Sequence, residues 1–245
     1  MIKNKIHPDP LLAVEFVVWL SAGSTIYLEQ MASQGSPNPK AKTYAVGDKK
    51  SAVSFVSTNN ASDLQRNIYF FPNAEFLDGK RLKENLKAVR HLHVDLDHKD
   101  YPGTENEQSD RILSLLLDEK TRPKGIPIPS AVWFTGGGYQ AVWMLQLPLE
   151  VEEAEELNKA ILITLQGGAG THNADRLLRL PWTMNWLNDS KRRLGARQLS
   201  LSLWSRPGWT FRRSAILAIS FQSSFPRKCP ICQQRRKQSA WQIWT

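Results

Sequence analysis

The alternation of apolar and polar residues is strictest at Arg90-His91-Leu92-His93-Val94-Asp95-Leu96-Asp97. On an extended chain Leu92, Val94 and Leu96 fall on one face, and His91, His93, Asp95 and Asp97 fall on the other. A strand is predicted there. Thr25–Leu28 and Ala52–Val56 are shorter strand candidates, and the aromatic, β-branched run Asn67-Ile68-Tyr69-Phe70-Phe71 is a stronger one. Ala131–Leu145 reads as β-rich on both sides of three glycines. Helical spacing is found at Leu11–Leu20 behind Pro10, at Asp110–Glu119, and at Glu150–Leu165, where Val151, Ala154, Leu157, Ile161 and Leu165 form an inward stripe. The glutamates at 152, 153, 155 and 156 are expected to be solvated. Ser33–Lys42, with two prolines and a glycine, reads as a loop, as does the polar stretch up to Gln108. Strand-like and helix-like segments alternate through residue 189, which favours an α/β or α+β domain.

At 245 residues and 41% hydrophobic content, the chain can bury one domain of roughly 150 to 200 residues plus a remainder. Only Cys229 and Cys232 carry thiols, so a disulfide scaffold is excluded. The longest apolar segment, Leu11–Leu20, is interrupted by Glu15 and falls short of a membrane span. No leader-like segment opens the chain, and a cytoplasmic location is expected.

The net charge of +9 would suggest a nucleic-acid binder, but it is unevenly placed. All 23 acidic residues lie in 1–189 together with 20 lysines and arginines, whereas 190–245 holds the other 12 basic residues and no acid. Those last residues also carry nine serines and four tryptophans with weak periodicity. They read either as a basic, tryptophan-bearing nucleic-acid arm or as the product of a frameshift or truncation, and we adopt the second. Cys229-Pro-Ile-Cys232 is half of a zinc knuckle, with every histidine upstream of it and His172 the nearest.

Three segments carry chemistry. On the 91–97 strand the two aspartates are separated by roughly 6.5 to 7 Å along one face, which lets both converge on hard divalent cations as phosphoryl transfer requires. Taken alone, the same pattern describes an edge strand facing water. Thr135-Gly136-Gly137-Gly138-Tyr139-Gln140 reads as a hairpin turn whose glycines allow a phosphate close to the backbone; without Gly-Lys-Ser/Thr it is not a Walker loop. Asn173-Ala174-Asp175-Arg176-Leu177-Leu178-Arg179-Leu180-Pro181-Trp182-Thr183-Met184-Asn185 adds a third carboxylate beside two guanidiniums.

In this order the three segments resemble the archaeo-eukaryotic primase superfamily, specifically the RepB-like primase and primase-polymerase domains of plasmids, phages and integrated elements. Val94–Asp97 is similar to the family's first motif, and Thr135–Gln140 lies where the family has a Ser-Gly-Gly-Gly-Tyr-His type nucleotide-binding motif. Asp175–Asn185 resembles the third, an acid followed by Arg-Leu-Pro-Gly-Thr and Asn, and Asn67–Asn73 resembles the segment before the first. Gln140 stands in place of a histidine, and Trp182 in place of a glycine. The likeness covers about 10–193.

The resemblance implies an α/β (α+β) fold: a primase-polymerase catalytic core with a small RRM-like antiparallel sheet flanked by helices over 1–193, followed by an irregular tail over 194–245. It implies a primer-synthesising nucleotidyltransferase acting on a single-stranded DNA template with nucleoside triphosphates and a separate replicative helicase as partners, and no membrane. Asp95, Asp97 and Asp175 are the implied catalytic ligands of Mg²⁺ or Mn²⁺. Thr135, Gly136, Gly137, Gly138, Gln140, Arg176 and Arg179 are the implied nucleotide contacts. Two other readings stand beside it: a degenerate, inactive primase-like nucleic-acid-binding protein, and an HUH-type replication nuclease built on His91 and His93.

Overall fold

The computed structural model describes residues 8–21, 25–32, 40–45, 47–76 and 81–187, with the backbone of 199–200 and 203–204. Its first layer begins with helix α1 (Pro10–Leu20). Asp9 starts it, accepting the Leu11 and Leu12 N–H groups at 3.0 Å each, and Pro10 supplies a preset φ in the first turn. Strands β1 (Ile26–Ala32), β2 (Lys40–Tyr44), β3 (Arg66–Phe70) and the short β7 (Leu178–Arg179) form an antiparallel sheet in the order β2-β1-β3-β7. Ala52–Val56, expected as a strand, lies inside helix α2 (Lys49–Asn59). Asp48 caps that helix by accepting Ser51 N–H, and Ala52, Phe55 and Val56 bury one face. The apolar run was too short for its period to distinguish helix from strand.

The second layer is built on β4 (Val89–Asp97), β5 (Ala131–Phe134) and β6 (Gly138–Leu149), covered by α3 (Glu105–Leu117) and α4 (Val151–Thr164). α3 starts five residues earlier than its apolar residues suggest, because Thr104 and Glu107 form a capping box. The polar stretch read as loop is its first turn. Sheet order is β10-β5-β6-β4, where β10 is Leu203–Trp204; β8 (Met184–Asn185) pairs with β9 (Leu199–Ser200). Among the described residues the expected α+β core thus has two small four-stranded antiparallel sheets and one two-stranded pair, flanked by helices. The rest of 188–245, including Cys229 and Cys232, lies outside the described residues.

Each face of the second sheet is buried differently. Leu92, Val94, Leu96, Val132, Tyr139, Ala141 and Trp143 pack with Ile112, Leu116, Leu157 and Ile161 of the two helices. Ala131, Trp133 and Val142 point the other way and pack with Phe16, Phe70 and Leu180 of the first layer. The face carrying Asp95 and Asp97 is therefore the one that meets the first layer. Trp182 closes this junction: its ring packs on Phe16 at a centroid distance of 6.1 Å, and its carbonyl accepts Asp9 N–H at 2.9 Å. Its φ is +56°, a left-handed conformation that glycine adopts more easily, held here by a tryptophan whose indole is buried. No helix among the described residues is long and apolar enough to cross a membrane.

β4 and β6 are locked in register at Gly138. A Cβ there would stand 2.0 Å from the Leu96 carbonyl oxygen and 2.8 Å from the Asp97 Cα, whereas a Cβ on Gly137 would meet nothing within 4 Å. Gly138→Ala is expected to destabilise the fold by about 3 kcal/mol or more, at the severe end of overpacking, and Gly137→Ala by under about 0.5 kcal/mol. Urea unfolding of the two variants checks this.

Candidate active site

The β4–β6 register sets Asp95 opposite Gln140 and Asp97 opposite Gly138. The two carboxylates share a face and differ in exposure, the Asp95 side chain being 17% exposed and that of Asp97 46%. Burial, reinforced by the negative charge of Asp97, pushes the Asp95 carboxyl pKa up, while hydrogen bonding from Gln140 and the nearby Arg176 guanidinium hold it back. Arg176 Nη2 is 3.5 Å from Asp95 Oδ2, and Lys99 Nζ is 2.8 Å from Asp97 Oδ2.

Arg176 comes from the loop that carries Asp175. That loop is tethered from several elements: Asn158 donates to the His172 carbonyl at 3.2 Å, Glu155 accepts Ala174 N–H at 2.9 Å, and Arg81 Nη1 donates to the Asp175 carbonyl at 3.1 Å. The Asp175 carboxylate itself accepts from the Asn173 side-chain amide. Among the described residues no three acid, histidine or cysteine side chains are gathered as a metal cage. Asp95 and Asp97 share a face of β4, Asp175 is not gathered with them into a three-acid cluster among the described residues, and its neighbour Arg176 contacts Asp95.

Thr135 N and Oγ1 both donate to the Gly138 carbonyl, at 2.9 and 3.2 Å, closing the glycine turn. Gly136 has a φ of +90°, and Gly137 is exposed at the tip with its carbonyl accepting His98 N–H at 2.8 Å. The close approach made by Gly138 is to β4 of its own chain. Gln140 is 3% exposed, and its Oε1 accepts Arg179 N–H at 2.9 Å. Its amide is thereby aimed at Asp95. The Arg179 guanidinium lies 5.1 Å from the Tyr69 ring centroid and donates to Asn185 Oδ1 at 2.9 Å, while Asn185 donates to the Thr135 carbonyl at 3.0 Å. Gln140 and Arg179 thus tie the third motif to the acid pair and to the glycine turn.

No protein-family model and no curated protein sequence matches the chain. Solved structures do. The crystal structure of primase RepB′ superposes with a TM-score of 0.56 at 11% identity, over 82% of this chain and 58% of that one. The catalytic domain of primase RepB′ in complex with initiator DNA gives 0.54 at 10% identity, over 82% and 87%. The primase-polymerase domain of cyanophage S-2L gives 0.52 at 16% identity, over 79% and 88%. The chain has the RepB-like primase-polymerase fold. It spans under two thirds of the first RepB′ structure, and the likeness at these identities is one of fold.

Within this RepB-like core, His91 and His93 are occupied. They are 3% and 1% exposed, not on a solvated face. His93 Nε2 donates to the Thr171 carbonyl at 3.2 Å and Nδ1 accepts from Asn158 at 3.3 Å, a tautomer assigned from these partners. His91 Nδ1 lies 3.3 Å from Asn73 Oδ1. Neither ring is left to hold a metal as an HUH nuclease requires. The asparagines went unread in the sequence. Asn73 Oδ1 accepts the Arg90 and His91 N–H groups, and Asn158 Oδ1 accepts that of His93, so amides cover the outer edge of β4. Glu155, expected to be solvated, also pairs with Lys83 at 2.6 Å.

Burial lowers both histidine pKa values from 6.5 to about 4. Protons therefore prefer the unfolded chain between those values, and the stability present above pH 6.5 is lost as pH falls towards 4. Each histidine should contribute a slope of about 1.4 kcal/mol per pH unit in that window. Urea midpoints measured from pH 7 to 4 should fall accordingly, and His91→Gln should remove part of the slope.

Proposed function

We propose that residues 1–193 form the catalytic body of a DNA-dependent primase or primase-polymerase, serving replication of a plasmid, phage or integrated element. The reaction is attack of a 3′-hydroxyl on the α-phosphate of an incoming nucleoside triphosphate, forming the phosphodiester bond and releasing pyrophosphate. The observation that carries this reading is the placement of Asp95 and Asp97 side by side where the second sheet meets the first layer, facing Arg176, on a fold shared with primases.

The donor set fits Mg²⁺ or Mn²⁺. Burial, and secondarily the charge of Asp97, raises the proton affinity of Asp95, a cost that a bound cation would offset, and such ions are commonly held by one or two carboxylates plus substrate phosphates. Asp95 and Asp97 would hold the cation, with Asp175 the third acid, and the bound ion would neutralise phosphate charge and polarise the phosphoryl group. Gln140 fixes the Asp95 carboxylate through an amide that carries no charge. Arg176 and Lys99, already beside the carboxylates, are the cations best placed for triphosphate oxygens. Thr135–Gly138 forms the turn at the other end of the acid pair, with Gly137 open to an approaching phosphate. Single-stranded DNA is the proposed template, supported by the initiator DNA bound in the RepB′ structure. A separate helicase would open the duplex.

The test is primer synthesis on single-stranded DNA with labelled nucleotides and Mn²⁺ or Mg²⁺. Asp95→Asn and Asp97→Asn should each reduce metal-dependent product by on the order of a hundredfold or more, the scale of losing a preorganised contact to developing charge. Asp95→Asn should melt at or above the wild-type temperature, because it removes a carboxylate whose ionised form the fold disfavours. A folded wild-type chain that makes no product would instead identify a degenerate copy.

A further inference from the structure

Glu29 lies on β1, in the first sheet, and is 4% exposed. Its carboxylate accepts the Tyr27 hydroxyl at 2.8 Å and pairs with Arg81 Nε at 3.4 Å. The same guanidinium reaches the Asp175 carbonyl through Nη1 at 3.1 Å. The other tethers of this loop act upstream of the acid: His93 on Thr171, Asn158 on His172 and Glu155 on Ala174. Arg81 acts on the peptide of Asp175 itself, from the opposite layer. The Glu29 carboxylate is nearly buried, whereas the Arg81 side chain is 26% exposed and its Nε has no hydrogen-bond partner among the described residues. What the pair adds is placement: the charge of Glu29 draws the guanidinium inward, and Nη1 of the same guanidinium holds the acid's backbone.

We propose that Glu29 and Arg81 are positioning residues that hold Asp175 in place relative to Asp95 and Asp97. The inference rests on the reading of these acids as a nucleotidyl-transfer site. It makes the third acid's contribution depend on a salt bridge between β1 of the first sheet and the segment that precedes Lys83.

The experiment compares the full chain with Arg81→Met, the double variant Glu29→Met with Arg81→Met, Asp175→Asn, and Asp175→Asn combined with Arg81→Met. Thermal melting, hydrogen exchange of amides 173–176, and binding of Mn²⁺ alone are measured. The double variant should melt above Arg81→Met, since no charge is left buried and unpaired, but below wild type, since the Tyr27 hydroxyl loses its acceptor. Its 173–176 amides should nevertheless exchange faster, and its Mn²⁺ affinity should fall about tenfold to a hundredfold, as when an outer partner of a ligand is lost. On the Asp175→Asn background Arg81→Met should cost no further affinity, because the two act through one group. A double variant with wild-type exchange and wild-type Mn²⁺ affinity would overturn the proposal, as would additive losses. If wild-type protein shows no Mn²⁺ binding sensitive to Asp95→Asn, the metal reading fails, and exchange decides alone: faster exchange keeps the pair as the anchor of the loop, and unchanged exchange overturns it. Should the methionine variants not fold, Arg81→Lys keeps the charge beside Glu29 but cannot serve both contacts, and the same measurements apply.

Discussion

The ladder between β4 and β6 fixes where every other part of the site must go. A slip of one residue would turn Asp95 and Asp97 towards α3 and α4 and bring Leu96 into the junction between the layers. Gly138 is suited to this register because any side chain there would collide with the Leu96 carbonyl, and the hydrophobic alternation of β4 opposes a slip along the whole strand. With the register set, Asp95 stands opposite Gln140, and Gln140 captures β7 through Arg179 N–H. The first sheet, the second sheet and the loop of Asp175 are thereby referred to one pair of residues.

What the ladder does not reach is held by side-chain amides. Asn73 and Asn158 satisfy the open edge of β4, while Asn60 and Asn67 each exchange two hydrogen bonds with the backbone of the segment after Trp182, at Met184 and Trp186. Each amide presents a donor and an acceptor, so it substitutes for a strand residue where no strand fits. All four asparagines are buried. Irregular segments can therefore cross the interior without leaving backbone groups unpaired.

The β4 strand and the glycine turn were legible because period-two alternation over 91–97 is long enough to be unambiguous, and because three glycines between β-rich runs mark a hairpin. α2 was misread because Ala52–Val56 is short, and α3 was started late because its first turn is polar. The partners of the site were hidden for a different reason. The contacts of Arg81 with Asp175, Asn73 with Arg90 and Asn158 with His93 span 94, 17 and 65 residues of chain, and no local pattern marks a polar residue that is destined for the interior. Gln140 and Arg179 were visible as motif residues, but their contacts to Asp95, Asn185 and each other follow from packing.

The second sheet has one further boundary, at β5. This strand has four residues, with β6 on one side and the two residues of β10 on the other. A bare strand at that place would offer a row of unsatisfied peptide groups to any extended chain, the usual route to self-association. Leu203 and Trp204, which belong to the acid-free segment, act as a guard rail on the second sheet. These two positions tie the colloidal behaviour of the core to a segment whose charged residues are all of one sign.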